Sequence, residues 1–226
     1  MNIHEKAELS KLIIQHAVEK YRRLFVACSF GKDSRVIVDL ARQVKPNIQF
    51  FGIDTGYEFP ETLSFAGKLV KETGMKFKWL HPARKDKRRI DKLYGDSFIL
   101  NDQYKCCEMK IPAIERVLGK YDAWVTGLRR DETEFRKNTP LIEHGKIIKI
   151  NPIAFWTKDD VWEYIKSKKL SYHPLYKKGF LSLGCKPCTT EGKNQSGGGR
   201  QGKFERAGRF AGTTNQGKEC GLHTNL

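Results

Sequence analysis

The sequence predicts an α/β fold built on a doubly wound, mainly parallel sheet. Three observations predict it. Short apolar runs alternate with helical patterns from Leu24 to Val125. A polar turn, Ser29 to Asp33 with Gly31 inside it, joins the first apolar run to the next helix. A hydrophobic content of 39% in 226 residues is enough for one α/β core.

Met1 to Tyr21 forms the expected first helix, with Leu9, Leu12, Ile13, His16, Ala17 and Tyr21 at helical spacing. It lacks the apolar stretch of a signal peptide. No window approaches the roughly 18 apolar residues of a membrane span, so the expected location is cytoplasmic. Leu24 to Cys28 is the first strand, and Ser34 to Val44 a helix through Val36, Ile37, Leu40, Ala41 and Val44. Ile48 to Ile53 is the second strand. Pro60 then starts a helix, where its missing N–H costs nothing, and Gly74 ends it. Met75 to Leu80 and Tyr121 to Val125 are the third and fourth strands. Arg84 to Arg89 is a basic run in a loop or at a helix start. Thr157 to Asp160 has the form of a capping box with Asp in place of Glu, opening a helix from Lys158 to about Lys168.

From Gly192 the composition changes. Nine of the 20 glycines fall between residues 192 and 226, without hydrophobic periodicity. The expected organisation is a domain over 1–191 and a glycine-rich tail over 192–226 that carries Cys220.

Lys and Arg outnumber Asp and Glu by 42 to 26, a net charge of +16 that attracts anions. Nucleic acid and a small phosphate- or sulfate-bearing substrate both qualify. The absence of a zinc-finger helix or an RNP aromatic pair argues against nucleic acid. Six cysteines, Cys28, Cys106, Cys107, Cys185, Cys188 and Cys220, point to metal ligation or catalysis in a reducing compartment.

Ser29-Phe30-Gly31-Lys32-Asp33-Ser34 lies between a strand and a helix. Backbone N–H groups and the helix N-terminus favour an anion there. Gly31 permits close approach, Ser29 and Ser34 offer hydroxyls, and Lys32 offers charge. The pattern is not Walker A. It resembles the PP-loop of the adenine-nucleotide α-hydrolase-like enzymes, usually SGGKDS, with Phe30 in place of the first glycine. Asp54-Thr55-Gly56 follows the second strand at the sheet's ligand-binding end, with Phe59-Pro60-Glu61-Thr62 just beyond. The two pieces together resemble the adenosine-side motif of phosphoadenylyl- and adenylyl-sulfate reductases.

Cys106-Cys107 and Cys185-Lys186-Pro187-Cys188 supply four thiolates, suited to Zn²⁺ or to a [4Fe–4S] cluster. Adjacent cysteines have diverging side chains, which leans the pattern toward the cluster.

Five further pieces extend the resemblance to bacterial adenylyl-sulfate (APS) reductase. They are Lys105-Cys106-Cys107, Tyr121 to Asp131 (YDAWVTGLRRD), Asn151-Pro152-Ile153 with Trp156-Thr157, Gly184 to Thr189, and Arg206-Ala207-Gly208-Arg209 followed by Glu219-Cys220-Gly221-Leu222-His223. The similarity runs from about Leu24 to His223. It implies a [4Fe–4S] cluster on Cys106, Cys107, Cys185 and Cys188, and Cys220 as nucleophile. It implies substrate contacts from Ser29 to Ser34, Asp54 to Gly56, Gly127, Arg129, Arg206 and Arg209. Lys110 is the candidate for a sulfate-contacting lysine, in a segment one residue shorter than the family's. His223 is a candidate to orient the substrate or move a proton, with a surface histidine as the equal alternative. The implied partner is thioredoxin or glutaredoxin as reductant, in sulfate assimilation. A homo-oligomer stays open. Two other activities also stay open: reduction of the 3′-phosphorylated substrate (PAPS), alone or with APS, and a PP-loop sulfur transferase acting on tRNA or other nucleic acid.

Overall fold

The strands, in chain order, are Leu24–Ala27 (β1), Gln49–Ile53 (β2), Lys76–Leu80 (β3), Ile99–Leu100 (β4), Gln103–Tyr104 (β5), Ala123–Val125 (β6), Ile142–Glu143 (β7) and Ile148–Ile150 (β8). The helices are Ile3–Lys20 (α1), Lys32–Val44 (α2), Pro60–Thr73 (α3), Arg84–Tyr94 (α4), Lys110–Leu118 (α5) and Lys158–Ser167 (α6). They belong to a computed structural model that describes residues 1–94, 99–100, 103–104, 106–191 and 205–210.

The main sheet runs β3-β2-β1-β6-β8-β7. Every pairing in it is parallel except β7 with β8. The doubly wound, mainly parallel sheet expected from the alternation is present. From β1 the chain winds outward through β2 to β3, then returns to β6 on the other side of β1. The order therefore reverses between β1 and β6, and the crevice beyond their C-terminal ends is where such sheets take ligands.

Both faces are covered along the central strands, which explains why β1, β2 and β6 are apolar runs rather than alternating ones. Val26, Phe50 and Val125 face α1, α2, α3 and α6 in one core. Phe25, Phe51 and Trp124 face Ile114 of α5 in a second. Phe25 stacks on Trp124 with ring centroids 5.7 Å apart.

The helix ends follow the expected chemistry. Thr157 and Asp160 form a reciprocal capping box on α6. Pro60 opens α3, and Gly74 closes it in the left-handed region at φ 62°. The basic run at Arg84 is a full helix, α4, and Ile90 is its one buried side chain among the described residues. One buried position gives no periodicity to read. The expected domain boundary at residue 191 meets a described segment beyond it, Glu205–Phe210, which packs on the core domain.

Candidate active site

The phosphate-loop segment bridges the end of β1 and the start of α2. The Ser29 N–H donates to Ser34 Oγ at 3.1 Å, and the two serine hydroxyls lie 2.9 Å apart. Gly31 precedes α2 without a side-chain cap. The Lys32 N–H instead donates to the Tyr176 hydroxyl at 2.9 Å. Phe30 adopts φ 61°, the left-handed region where glycine sits without penalty. That geometry costs an L-residue about 1–2 kcal/mol. Burial of the Phe30 ring offsets it: Phe77 and Trp79 each lie 5.4 Å away, centroid to centroid. Gly52 makes room for this aromatic group, because a Cβ there would lie 2.6 Å from the Trp79 ring.

Below the loop lies a buried ion network. The side chains of Lys32 and Arg129 are 1% and 0% exposed. Asp33 offers Oδ2 to Lys32 at 2.8 Å and Oδ1 to Arg129 Nε at 2.5 Å. Glu205 repeats the pattern, with Oε1 on Lys32 and Oε2 on Arg129 Nη2 at 2.5 Å. Glu132 accepts from the Arg129 N–H at 3.2 Å and pairs with Arg136. Burial alone would lower the Lys32 pKa, but Asp33, Tyr176 and Glu205 outweigh it and hold it above the ordinary lysine value. Burial likewise opposes ionisation of Asp33, and Lys32 with Arg129 overcomes it, leaving that carboxyl well below its usual range. Desolvation raises Glu205, with Lys32 and Arg129 pulling it back toward the ionised form. Removing one partner from a buried pair of this kind costs on the order of 3–5 kcal/mol.

The opposite wall of the crevice comes from the C-terminal part of the chain. Cys185 and Cys188 are buried at the two ends of a tight turn, Lys186–Cys188 with Pro187. They share an apolar cluster with Ile90 of α4, Met109 and Phe210. Met109 ends the turn Cys106–Met109, so the backbone carrying the cysteine pair meets the second pair here. The side chains of Cys106 and Cys107 lie outside the described residues. Residues 208–210 pair antiparallel with 188–190: the Phe210 N–H donates to Cys188 O and the Thr190 N–H to Gly208 O, both at 2.9 Å. Arg209 Nη1 donates to Leu183 O at 2.9 Å, and Nη2 lies 3.5 Å from Cys188 Sγ.

The crevice between these walls is lined by the phosphate loop, the end of β6 at Thr126 to Leu128, Lys110, Arg206 and Arg209. Lys110, Arg206 and Arg209 thus share a cleft at the sheet's switch point with the strand-to-helix loop and with the carboxylates of Asp33, Glu58 and Glu132, Glu58 lying 3.7 Å from Lys110 Nζ.

The phosphoadenosine phosphosulfate reductase domain matches residues 23–191. The chain belongs to this family. The adenosine 5′-phosphosulfate reductase of Staphylococcus haemolyticus is 36% identical over 219 residues, covering 93% of this chain and 85% of that protein. That of Geobacillus kaustophilus is 37% identical over 206 residues, covering 87% and 82%. In fold, the chain resembles the phosphoadenylyl-sulfate (PAPS) reductase of Candida auris, solved as a phosphate complex. The TM-score is 0.69 at 24% identity, over 83% of this chain and 96% of that one. It also resembles the U34-tRNA thiolase of Methanococcus maripaludis, solved with its [4Fe–4S] cluster, at TM-score 0.56 and 20% identity over 76% and 66%.

Of the residues singled out by the family resemblance, Ser29, Phe30, Gly31, Asp33, Ser34, Lys110, Gly127, Arg206 and Arg209 line one cleft. Gly127 lets the end of β6 approach α2, where a Cβ would lie 3.3 Å from the Asp33 carbonyl carbon. Lys32 and Arg129 lie beneath the cleft, in the ion network. Asp54, Thr55 and Gly56 stand at the end of β2 outside the cleft lining; Asp54 Oδ1 there accepts from the Gly56 N–H at 2.8 Å. Cys220 and His223 lie outside the described residues. Glu58, Glu132, Tyr176 and Glu205 escaped the sequence reading. Each is a common polar residue in no motif; Glu58, Tyr176 and Glu205 come in by tertiary contact, whereas Glu132 meets Arg129 and Arg136 within its own stretch of chain. Cys28 is buried, its pKa pushed up to about 12 by desolvation, and serves as a packing residue rather than a nucleophile.

Proposed function

We propose that the chain reduces adenylyl sulfate (APS) to sulfite and AMP, with Cys220 as nucleophile. The observation that carries this reading is the cleft in which Arg206 and Arg209 face the phosphate loop. The loop and the N-terminus of α2 take the adenylate phosphate. Arg206, Arg209 and Lys110 neutralise the sulfate, without which an anionic thiolate could not approach its sulfur.

The Cys220 thiolate attacks the sulfate sulfur, the sulfur–oxygen bond to the nucleotide breaks, and AMP leaves with that electron pair. The enzyme then carries S-sulfocysteine. One thiolate of a dithiol protein, thioredoxin or glutaredoxin, attacks Cys220 Sγ and expels sulfite. The second thiol of that partner attacks the mixed disulfide and restores Cys220. The two electrons come from the partner, which leaves as a disulfide.

Buried Cys185 and Cys188, with the Cys106–Met109 turn packed beside them, suit a [4Fe–4S] cluster on Cys106, Cys107, Cys185 and Cys188. Such a cluster, when bound, supplies fixed charge next to Arg209. The proposed setting is sulfate assimilation in the cytoplasm.

Anaerobically purified protein incubated with ³⁵S-labelled APS and no reductant tests the reading. Label should stay on Cys220, vanish in Cys220→Ser, and leave as sulfite when a dithiol protein is added. ATP turnover without label transfer would sink it in favour of a sulfur transferase. The same assay with the 3′-phosphorylated substrate separates APS from PAPS use.

A further inference from the structure

We propose that Glu205 is a positioning residue: it fastens the Glu205–Phe210 segment to the phosphate loop and so holds Arg206 and Arg209 in the cleft. The proposal rests on the reading of those arginines as sulfate contacts.

The geometry is a closed ring of four charges. Asp33 and Glu205 each give one oxygen to Lys32 and the other to Arg129. Asp33 alone already bonds both cations, and it is local to the loop. Glu205 arrives from 173 residues beyond Lys32 and 76 beyond Arg129, with its side chain only 5% exposed. A buried carboxylate from so distant a segment adds a constraint that local pairing does not supply.

Glu205 opens a 3₁₀ turn, Glu205–Gly208. Residues three apart eclipse in such a turn, so Arg206 and the following Arg209 fall on one side of the segment. Both line the cleft. The Arg209 N–H donates to Arg206 O at 2.8 Å, which tightens the turn. The far end of the segment is pinned separately, by the pairing of residues 208–210 with 188–190. The segment is therefore held at two points, one on the phosphate loop and one on the Cys185–Cys188 turn. Arg206 sits between them, and Arg209 belongs to the second, joined to Arg206 by its N–H. A shift at the Glu205 anchor moves the Arg206 guanidinium relative to an anion in the loop and, through the Arg209 N–H bond to Arg206 O, pulls on Arg209.

Two variants of the full, anaerobically purified holoenzyme test this. Glu205→Gln keeps the size and removes the charge. Glu205→Asp keeps the charge and shortens the reach, so it can no longer span both cations. Amide hydrogen exchange at Arg209, whose N–H closes the turn on Arg206 O, should quicken by about tenfold or more in both variants. The rate of label transfer from APS should fall by roughly a hundredfold, as expected for misplaced catalytic contacts. AMP affinity, which reports the loop, should change less than the transfer rate does in Glu205→Asp, which keeps a carboxylate beside Lys32. A role in charge balance alone predicts wild-type exchange and wild-type rate in Glu205→Asp, and that result would overturn the proposal. If Glu205→Gln does not fold, Glu205→Asp decides by the same split. If the wild-type protein transfers no label, the reductase reading fails, and the exchange measurement still decides whether Glu205 anchors the segment.

Discussion

The guanidinium of Arg209 occupies the space in which a side chain at Gly184 would begin: a Cβ there would lie 2.2 Å from Arg209 Cζ. The atoms in the way are the far end of a flexible side chain, so the protein can relieve the clash by moving Arg209. Gly184→Ala should therefore fold with a stability loss of about 1 kcal/mol. On the proposed role of Arg209 as a sulfate contact, the catalytic rate should fall far more, by roughly ten- to a hundredfold, because the guanidinium is displaced. Paired measurement of urea midpoint and kcat checks this; a large midpoint shift with proportionate loss of activity would contradict it.

Phe30 tests the balance between backbone and core. Glycine at that position would relax the left-handed backbone, worth about 1–2 kcal/mol. It would also delete a ring packed between Phe77 and Trp79, and such deletions cost about 3–5 kcal/mol. Phe30→Gly matches the commoner SGGKDS loop, yet here it should destabilise the protein by about 1–4 kcal/mol, the difference between those terms. Equilibrium urea denaturation gives the answer, and a variant more stable than wild type would refute the argument.

The contrast between Phe30 and Glu205 shows what could be read from the sequence. β1, β2 and β6 are buried on both faces, so their apolar runs stand out without any partner in view, whereas the edge strand β3 alternates Lys76, Phe77, Lys78 and Trp79 and has no fully buried residue. The phosphate loop is legible because a strand end, a glycine and a helix start are contiguous. The CxxC pair is legible because its spacing is local. The ion network is not. Lys32 and Arg129 suggest anion contacts from their motifs, whereas the structure pairs them with Asp33 and Glu205. That pairing depends on a tertiary contact across 173 positions, which leaves no periodicity or spacing behind. β4, β5, β7, β8 and the helix α5 stand in no expected element: β4, β5 and β7 are only two residues long, and β8 carries Lys149 at its centre.

The proposed cluster makes a compositional prediction. Cys185 and Cys188 pack with Met109 in one small apolar group, so replacing either thiol by a hydroxyl changes little volume. Cys185→Ser and Cys188→Ser should each lose most of the bound iron and the brown absorbance while keeping the far-ultraviolet circular dichroism of the α/β core. Anaerobic iron and sulfide analysis checks it. Colourless wild-type protein with one tightly bound zinc would decide for the other four-thiolate option.

Acid stability should trace to His173. Its ring is buried, with Nδ1 accepting from the Leu175 N–H at 3.2 Å and Nε2 lying 3.0 Å from Thr62 Oγ1. Those partners fix the neutral form with its proton on Nε2. Burial brings the pKa from 6.5 down to about 4, against a small opposing pull from Glu61. The unfolded chain takes up a proton as pH falls through 6.5, and the native protein does not until about 4. Between those values the unfolded state binds more protons, so stability falls with pH. The contribution is whole above pH 6.5 and shrinks by at most on the order of 3 kcal/mol on reaching pH 4. His173→Gln keeps a donor toward Thr62 and has nothing to titrate. Its stability should be lower at neutral pH but should lose less between pH 6.5 and 4 than wild type does. Urea midpoints for both proteins across that window measure the difference, and parallel curves would show that His173 is not the group responsible.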